Sequence, residues 1–563
     1  MSKIKRIAAL LLALVMVMGM SVTSFADETK TTITVTNVDA GSTVTYEQII
    51  VPAPGEVTGW AFTESTAAES FKSVIKGDTK KDDQQIIAGL IVFTDQRAKL
   101  PEELKANAAK VDATILQNAF NIAALANTAT NKDTAGNYLI PAETAGVYVI
   151  HATDTKEYGD TEDPSKVTKW INYSPMAAYV SFGYTDGGAA STLNPVTVNA
   201  KKQDLTLTKE DNEADKVTAV GDVVTYTIKT SVPYIPDDVT ADNVYFNVTD
   251  AIKGAQYVSN RISVNNGPAP EGMLLAEKAE DVVAVTVKLG VGTPEEREAK
   301  LVAVPNGLGY EYSFVLDLKD IAGAVDQSTG KRLNANQSLE ITYKAYVKSV
   351  VVDNKAYTEV KTKNDQDSPD KGPEDNDKIY TGSLKITKHN ADNEDEVLAD
   401  AKFVLYYTVG TGANAKKVYA VTRKTTQSDT DVDGADYIVT GWSEDKPNKE
   451  NDDVLLITKA DGTVTIKGLE DDTDREYFFE EVVAPSGYSL NSEPAKINSW
   501  KDNKRNDAET ANDRIGFADL SDTKLSSLPS TGGIGTTIFT IGGCLIMIVA
   551  AGLFFATRKK SAK

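Results

Sequence analysis

Five segments in the middle of the chain decide the fold class: DVVTYTIKTSV (residues 222–232), VYFNVTD (244–250), VVAVTVKLG (282–290), YSFVLDL (312–318) and SLEITYKAYV (338–347). Apolar and β-branched residues alternate with polar ones in these segments, which is the two-residue period of a strand buried on one face. Stretches with turn-forming residues separate them. Strands at this spacing predict a β-sandwich domain over residues 201–365.

The block before this domain, residues 27–200, is also rich in predicted strands. It opens with the alternating segment TTITVTN (31–37), and strands resume at GVYVIHA (146–152) and MAAYVSFGY (176–184). Between them, apolar residues recur at helical spacing over 99–127. This block is therefore predicted to be a β-sandwich that carries a helical insertion.

A third β-rich block extends over residues 379–525, from GSLKITKHN to IGFADL. The segment before it, 366–378, is rich in Asp and Pro and is predicted to be an acidic linker. The chain as a whole is predicted to be mainly β, with three tandem immunoglobulin-like β-sandwich domains.

Composition excludes several function classes. The chain has 563 residues and a formal net charge of -22. Binding along nucleic acid is therefore disfavoured, because surfaces that contact the phosphate backbone carry an excess of Lys and Arg. Its single cysteine, Cys544, excludes internal disulfides and Cys-cluster metal sites. Only two histidines, His151 and His389, are present, and no catalytic cluster or cofactor motif emerges, so we expect no enzyme, cofactor or metal.

The pattern of the first 26 residues predicts a secretory signal peptide. A positive start, an apolar run and the small-x-small sequence Ser24-Phe25-Ala26 follow one another. The mature chain is predicted to begin at Asp27. A membrane anchor at this end is disfavoured because the apolar run is short.

The C-terminal segment, 526–563, contains Leu528-Pro529-Ser530-Thr531-Gly532, an apolar stretch over 534–556 and a basic tail. Such a stretch can span a bilayer, and the basic tail holds the C-terminus inside. The three features in this order resemble the sorting signal of Gram-positive surface proteins. The resemblance implies that a sortase cuts after Thr531 and joins its carbonyl to an amine.

The third block resembles the collagen-adhesin B-type (CnaB) domain of Gram-positive pilins and adhesins. The resemblance rests on GSLKITK (382–388), LADAKFVLY (398–406) and YFFEEVVAPSGY (477–488). It implies an isopeptide bond from Lys388 to the last strand, assisted by Glu481. Asp519 stands where the family more often has Asn, and Asn512 is the second candidate.

The middle block resembles the CnaA-like domain of major pilins. Here the lysine is Lys209 in LTLTKED, the acid is Asp250 in FNVTDAIKGAQY, and the acceptor is Asn364 in TEVKTKNDQDSP. The alternative for either set of residues is an ordinary cluster of charges, such as a Lys388–Glu481 ion pair.

Elementary chemistry supports such bonds independently of the resemblance. Lysine attacks a carbonyl only as a neutral amine, and burial lowers its pKa. Burial also raises the pKa of a carboxyl group, so a buried acid can stay protonated, polarise the acceptor carbonyl and shuttle protons. Folding supplies the proximity.

The segment NPVTVNAKKQ (194–203) joins the first two blocks. Shaft pilins carry a lysine at this junction that a pilin sortase uses as acceptor, and Lys201 fits this position best, with Lys202 next. Asn199-Ala200-Lys201 replaces the usual Tyr-Pro-Lys pattern. The alternative is a basic hinge between domains.

The signals together resemble a backbone (major) pilin of a sortase-assembled pilus, with Thr531 of one subunit linked to Lys201 of the next. The implied partners are a pilin-specific sortase, a housekeeping sortase, other copies of the chain, minor pilins, peptidoglycan and host surface ligands, with no nucleic acid. The alternative is a monomeric wall-anchored adhesin or minor pilin that binds host matrix or glycan. The two interpretations differ in whether an acceptor lysine is needed.

One acidic segment starts like a calcium loop. Asp429, Asp431 and Asp433 have the required spacing, but Thr440 stands where the bidentate acid belongs. An acidic turn is therefore favoured over a calcium site.

Overall fold

The structure, a computed structural model, describes residues 30–560 apart from 78–79, 92–99, 112, 122–124, 160–162, 185–189, 237–238, 262–271, 305–308, 329–331, 365, 472–474, 503–513 and 526–534. The described chain forms two compact units, the first ending at Tyr380 and the second beginning at Thr381. Strands dominate both units, which confirms the mainly β fold class. The first unit contains an N-terminal and a middle domain, and the second contains the C-terminal domain.

The N-terminal domain combines several small sheets with helices. Its strands are β1 (Thr31–Thr36), β2 (Val44–Pro52), β3 (Trp60–Phe62), β4 (Asn127–Thr128), β5 (Asn131–Lys132), β6 (Tyr138–Ala142), β7 (Gly146–Ala152), β8 (Thr155–Tyr158), β9 (Val167–Tyr173), β10 (Met176–Val180), β11 (Phe182–Tyr184), β12 (Ala190–Leu193), β13 (Val196–Asn199) and β14 (Lys202–Thr206). The sheet orders are β13-β1-β6-β5, β10-β7-β2-β3 with β4 on β2, β11-β12, and β14-β9-β8.

The predicted helical insertion is present and is larger than the sequence indicated. Its helices are α1 (Thr66–Lys76), α2 (Asp83–Ile91), α3 (Glu102–Asn107) and α4 (Ala113–Phe120). Ser65 caps α1, since its side chain accepts a hydrogen bond from the Ala68 amide. Phe71 of α1 packs on Phe120 of α4, with ring centroids 5.2 Å apart, so the helices share the apolar core of the sheets.

The described strands of the middle domain form one ten-stranded sheet. Its elements are β15 (Thr208–Asp211), β16 (Val223–Ser231), β17 (Tyr245–Lys253), β18 (Ala255–Tyr257), β19 (Val282–Leu289), β20 (Glu295–Val302), β21 (Tyr312–Asp317), α5 (Lys319–Gly323), β22 (Ser338–Val347), β23 (Val351–Lys361) and β24 (Asp370–Tyr380). They are ordered β15-β16-β22-β19-β20-β21-β17-β23-β24, with β18 on β22.

The segment predicted to be an acidic linker, 366–378, is instead largely strand. Residues 370–380 form β24, which pairs antiparallel with β23 along most of its length. Glu374 and Asp377 of this strand are 3% and 7% exposed. The absence of apolar residues hid the strand, because two of its buried positions, on opposite faces, are filled by charged groups that find partners inside the domain.

The C-terminal domain begins immediately after β24. Its strands are β25 (Gly382–Asn390), β26 (Asn393–Val397), β27 (Lys402–Val409), β28 (Lys416–Lys424), β29 (Tyr437–Ser443), β30 (Leu456–Ile457), β31 (Thr463–Leu469), β32 (Tyr477–Val483), β33 (Ala495–Lys496), β34 (Ser499–Asp502) and β35 (Arg514–Asp522). They are ordered β33-β32-β27-β28-β29-β31-β25-β35-β34, with β26 on β25 and β30 on β27. The first strand, β25, and the last long strand, β35, pair in parallel.

A long apolar helix, α6 (Gly535–Lys560), ends the described chain. Its segment Ile538–Phe555 is long and apolar enough to cross a membrane, and none of it is buried against the rest of the protein. The Leu528–Gly532 motif that precedes it and the signal peptide both lie outside the described residues.

Candidate functional site

Two buried lysine clusters

A fully buried lysine lies at the centre of the middle domain. Strand β15 turns Lys209 inward, and its side chain has no exposed surface. Its Nζ lies 2.5 Å from Asp250 Oδ2 on β17 and also contacts the hydroxyl of Tyr343 on β22. Burial lowers the pKa of Lys209, although the attraction of Asp250 opposes this effect. The cluster therefore favours a neutral amine more than a surface ion pair does.

Aromatic side chains enclose this lysine and its carboxylate. The Tyr257 hydroxyl donates to Asp250 Oδ1 at 2.6 Å, and the Tyr343 hydroxyl donates to Oδ2 at 2.8 Å. Lys209 Nζ lies 4.8 Å from the ring centroid of Tyr226. Burial and Asp250 raise the pKa of Tyr343 well above its ordinary value, so its hydroxyl keeps its proton and can pass it along a hydrogen-bond chain.

The amide next to this cluster is Asn354, which the sequence analysis did not select. It occupies an inward position of β23 opposite Ile252 and has no exposed surface. Its Nδ2 donates to the Tyr343 hydroxyl at 2.9 Å. Its Oδ1 is buried without a hydrogen-bond partner among the described residues. Tyr343 thus contacts the lysine, the acid and the amide.

Asn364, the acceptor predicted from the sequence, is not brought to Lys209. It is exposed beyond the end of β23, where its Oδ1 accepts hydrogen bonds from the Thr240 amide at 2.9 Å and from Asn243 at 3.2 Å. The strand alternates buried and half-buried positions, and Val352, Asn354 and Ala356 share its buried face. This alternation places Asn354 on the apolar, buried face of β23. Burial of an amide is costly unless it is hydrogen-bonded, so an asparagine at such a position is a candidate functional residue.

The second buried lysine is Lys388 on β25, the first strand of the C-terminal domain. It is 0% exposed, and its Nζ lies 3.1 Å from Glu481 Oε1 on β32. The same Nζ contacts Asp522 Oδ1 on β35. The ring of Phe403 lies beside it, with its centroid 5.9 Å from Nζ. Lys388 and Glu481 are both predicted from the sequence, and the structure brings the two together.

Asp519 does not reach this cluster, and Asp522 takes the place predicted for it. In β35 the buried positions are alternate residues, and Asp519 falls on the exposed face, where it contacts His389 and Asn498. Lys388 is paired with Leu520, and Asp522 is the next residue on that same face. Choosing an aspartate an odd number of residues away selects the wrong face. The second candidate, Asn512, lies outside the described residues.

Glu481 has the electrostatics of a buried acid. Its Oε2 accepts a hydrogen bond from the Asn491 amide at 2.9 Å. Burial raises the pKa of Glu481 to about 7, while that hydrogen bond and Lys388 oppose the rise. Asp522 Oδ2 is buried with no hydrogen-bond partner among the described residues. Near pH 7 Glu481 can therefore hold a proton next to Asp522, whose Oδ1 accepts from Lys388 while its Oδ2 has no donor among the described residues.

The junction lysines and other candidates

The two junction lysines differ in their surroundings. Lys202 Nζ is held 2.9 Å from both carboxylate oxygens of Asp39, and this hydrogen bonding raises the pKa of Lys202. Lys201 is exposed, and within the described part of the chain no side-chain contact of Lys201 is found, although its carbonyl oxygen accepts the Ser174 amide. The amine of Lys201 is the more available of the two.

The remaining candidates have ordinary partners. His151 is hydrogen-bonded to the Phe120 carbonyl at 2.7 Å, and Asp429 of the acidic segment forms an ion pair with Arg423. Among the described residues, no group of three His, Cys, Asp or Glu side chains has an arrangement that could hold a metal ion.

Comparison with known proteins

Two parts of the chain match protein-family models. Residues 382–514 match the SpaA prealbumin-like fold domain, and residues 521–563 match the LPXTG cell wall anchor motif. The C-terminal domain is thus of the SpaA prealbumin-like class, and the chain ends in a cell wall anchor. No curated protein matches the chain.

Several solved pilins are similar to the chain at low identity. The T6 backbone pilin of Streptococcus pyogenes serotype M6 is 15% identical, with 89% of this chain and 100% of that chain covered and a TM-score of 0.45. The major pilin SpaD of Corynebacterium diphtheriae is 14% identical, with 89% and 99% covered and a TM-score of 0.39. The major pilin SpaA of the same organism is 15% identical, with 88% and 100% covered and a TM-score of 0.36. Likenesses of this size say nothing about function.

Proposed function

We propose that this protein is the structural backbone subunit of a covalently polymerised cell-surface pilus. The observation that carries the proposal is the pair of fully buried lysines. Lys388 contacts both Glu481 and Asp522, and Lys209 contacts Asp250 and, through the Tyr343 hydroxyl, is linked to Asn354. The C-terminal cell wall anchor motif supplies the attachment signal, and Lys201 supplies an available amine at the domain junction.

In the middle domain the bond joins Lys209 to Asn354. The neutral Nζ attacks Asn354 Cγ, and Asp250 takes the proton that Nζ releases. The Tyr343 hydroxyl, which contacts all three groups, relays a proton to Nδ2. The Cγ–Nδ2 bond then breaks and one ammonia leaves, so the atoms balance in a single turnover.

In the C-terminal domain the bond joins Lys388 to Asp522, with Glu481 as the proton shuttle. The Nζ–Cγ bond forms, the Cγ–O bond to the protonated oxygen breaks, and one water leaves. Glu481 starts protonated and gives that proton to the leaving oxygen of Asp522. It then accepts a proton from Nζ and passes it to the same oxygen, which leaves as water, so that Glu481 ends ionised. The protein acts only on itself here and does so once, so it is not an enzyme in the usual sense.

The positions of these bonds suit a subunit under tension. Lys388 and Asp522 are 134 residues apart in sequence but lie on adjacent parallel strands, the first and the last long strand of their domain. A covalent bond there would stop the domain from unzipping when its ends are pulled. Closing so long a loop also restricts the unfolded chain strongly in the loop-entropy model.

The polymer is tested by expressing the full chain in a Gram-positive host together with its pilin sortase and a housekeeping sortase. We expect a ladder of wall-released species that resists boiling in detergent and requires the pilin sortase. A single anchored monomer under the same conditions would contradict the proposal and favour a wall-anchored adhesin or minor pilin that binds host matrix or glycan.

A further inference from the structure

Strand β24 brings a second carboxyl group to the middle-domain cluster. Asp377 lies directly opposite Asn354 in the β23–β24 pair, and both side chains face the interior. The Cβ atoms of directly opposed residues in antiparallel strands are ~4.5–5.5 Å apart, within reach of short polar side chains. The residue that faces the buried amide across the sheet is therefore an acid.

The oxygen of Asn354 needs a hydrogen-bond donor that Asp250 does not provide in this arrangement. Asp250 Oδ1 is occupied by Tyr257, and Oδ2 is occupied by both Tyr343 and Lys209. Asn354 Oδ1 and Asp377 Oδ2 are both buried without hydrogen-bond partners among the described residues. These two oxygens, on opposed residues, are satisfied together if Asp377 carries a proton. The Tyr226 hydroxyl, also buried without a hydrogen-bond partner among the described residues, is the other donor beside Asn354, and Asp211 is the other group that hydrogen-bonds to Asp377.

We propose that Asp377 is a second acid of the middle-domain bond and donates its proton to Asn354 Oδ1 while Lys209 attacks Cγ. This inference rests on the proposed Lys209–Asn354 bond. The proton on Oδ1 stabilises the tetrahedral intermediate, in which the carbonyl oxygen would otherwise carry the developing charge. When the intermediate collapses and ammonia leaves, that proton returns to Asp377, so Asp377 is unchanged at the end.

The surroundings of Asp377 favour its protonated form. Asp211 on β15 has a fully buried side chain and contacts Asp377, while Lys216 bridges the two, lying 2.8 Å from Asp377 Oδ1 and 2.5 Å from Asp211 Oδ2. The titratable groups that face Asp377 are Asp211, Lys216, Lys209 and Tyr226. Burial, followed by the hydrogen bond and repulsion of Asp211, raises the pKa of Asp377 to about 7, and Lys216 opposes the rise.

The experiment follows bond formation in the mature chain, residues 27–531, recovered unfolded from inclusion bodies. Folding is started by dilution at pH values from 5.5 to 8.5, samples are quenched in acid, and the Lys209–Asn354 peptide is quantified by mass spectrometry. The variants are Asp377→Asn, which keeps a donor at every pH, and Asp377→Leu, which has none. Asp370→Asn is the control, since it makes the same change at an exposed position of the same strand.

We expect Asp377→Leu to form the bond roughly 10²-fold more slowly, the usual scale for loss of a general acid. The ratio of the wild-type rate to the Asp377→Asn rate cancels the titration of Lys209. This ratio should be highest below pH 7 and should fall as the pH rises through about 7, the pKa of Asp377. Asp370→Asn should match the wild type throughout.

A wild-type rate in Asp377→Leu, or a rate ratio that does not change with pH, would overturn the role of Asp377. Equal slowing of both variants with no pH difference would also overturn it, because that result marks a purely structural residue. Circular dichroism of each reaction at its own pH, recorded before the acid quench, confirms folding. Absence of the Lys209–Asn354 peptide from fully folded wild-type protein would instead refute the proposed bond itself.

Discussion

Lys388 and Asp522 contact each other inside the C-terminal domain although neither is a direct partner of the other in the sheet. Lys388 is paired with Leu520 on the parallel strand β35, and Asp522 reaches back from two residues further along the same face. Both side chains are fully buried. An unbonded charge pair in such a place has a large desolvation cost, whereas an amide between the two groups removes both charges.

The C-terminal bond predicts a specific loss of mass and of stability. Asp522→Ala should retain the water that the wild-type chain loses, and the C-terminal domain should lose about 5 kcal/mol of unfolding free energy in the loop-entropy model for a closure of this length. Such a loss corresponds to a fall in Tm on the order of 15 °C. Intact-mass measurement and differential scanning calorimetry check the two outcomes.

Asp519→Ala is the matched control for that variant. It removes the same carboxyl group from the exposed face of β35, so the mass loss and the Tm should stay at the wild-type values. If Asp519→Ala abolished the bond and Asp522→Ala did not, the assignment of Asp522 would be refuted.

The middle-domain bond predicts a different chemical signature. Asn354→Ala should abolish the loss of ammonia, because the Lys209 cluster then has no amide acceptor next to Tyr343. Asn354→Asp should form the same amide with loss of water instead. Peptide mapping after digestion distinguishes these products, and Asn364→Ala should leave the Lys209–Asn354 peptide intact. A crosslinked peptide that contains Asn364 would contradict this assignment.

The sequence predicted the mainly β architecture and, in each buried lysine cluster, the lysine and the acid beside it. Lys209 and Asp250, and likewise Lys388 and Glu481, lie in alternating segments whose strand character is strong, and local pattern is enough to find them. The predicted acceptors lie away from the lysines for two different reasons: Asn364 is beyond the end of β23, and Asp519 is on the exposed face of β35. Strand alternation identifies Asn354 and Asp522 once the register is known, but register depends on pairing between distant segments.

The missed strand β24 shows a second limit of sequence reasoning. Its buried residues Glu374 and Asp377 are charged and lie on opposite faces of the strand, so no hydrophobic alternation marks the segment. Glu374 is buried against Lys355 and Lys371, and Asp377 against Lys216. A buried charged strand is stable only because partners from elsewhere in the domain neutralise it, and those partners are visible only in the fold.

Glu481 predicts a pH dependence for the C-terminal bond. The carboxyl must be protonated to assist the departure of water, and its pKa is raised to about 7. Bond formation during refolding should therefore be slowed by the loss of this proton as the pH rises above 7. Glu481→Gln cannot shuttle protons and should slow formation by roughly 10²–10⁴-fold at every pH, as measured by time-resolved mass spectrometry.

The neighbouring residue provides the control for Glu481. Glu480 points to the other face of β32 and forms ion pairs with Lys417 and Lys446. Glu480→Gln should therefore leave the rate and its pH dependence unchanged. Equal slowing in both variants would show that a negative charge on the strand matters rather than the buried acid.

The junction lysines predict which amine receives Thr531. Lys201→Ala should abolish the detergent-resistant ladder while leaving an anchored monomer of normal mass, because the exposed amine is lost and the fold is untouched. Lys202→Ala should still polymerise, since its amine is bound to Asp39 and is not the one presented to a sortase. Lys201→Arg separates charge from chemistry: it keeps the positive charge but cannot form the amide, so it too should yield only monomer. A ladder of wild-type intensity in Lys201→Ala, with a branched peptide mapped to Lys202, would transfer the acceptor role to Lys202.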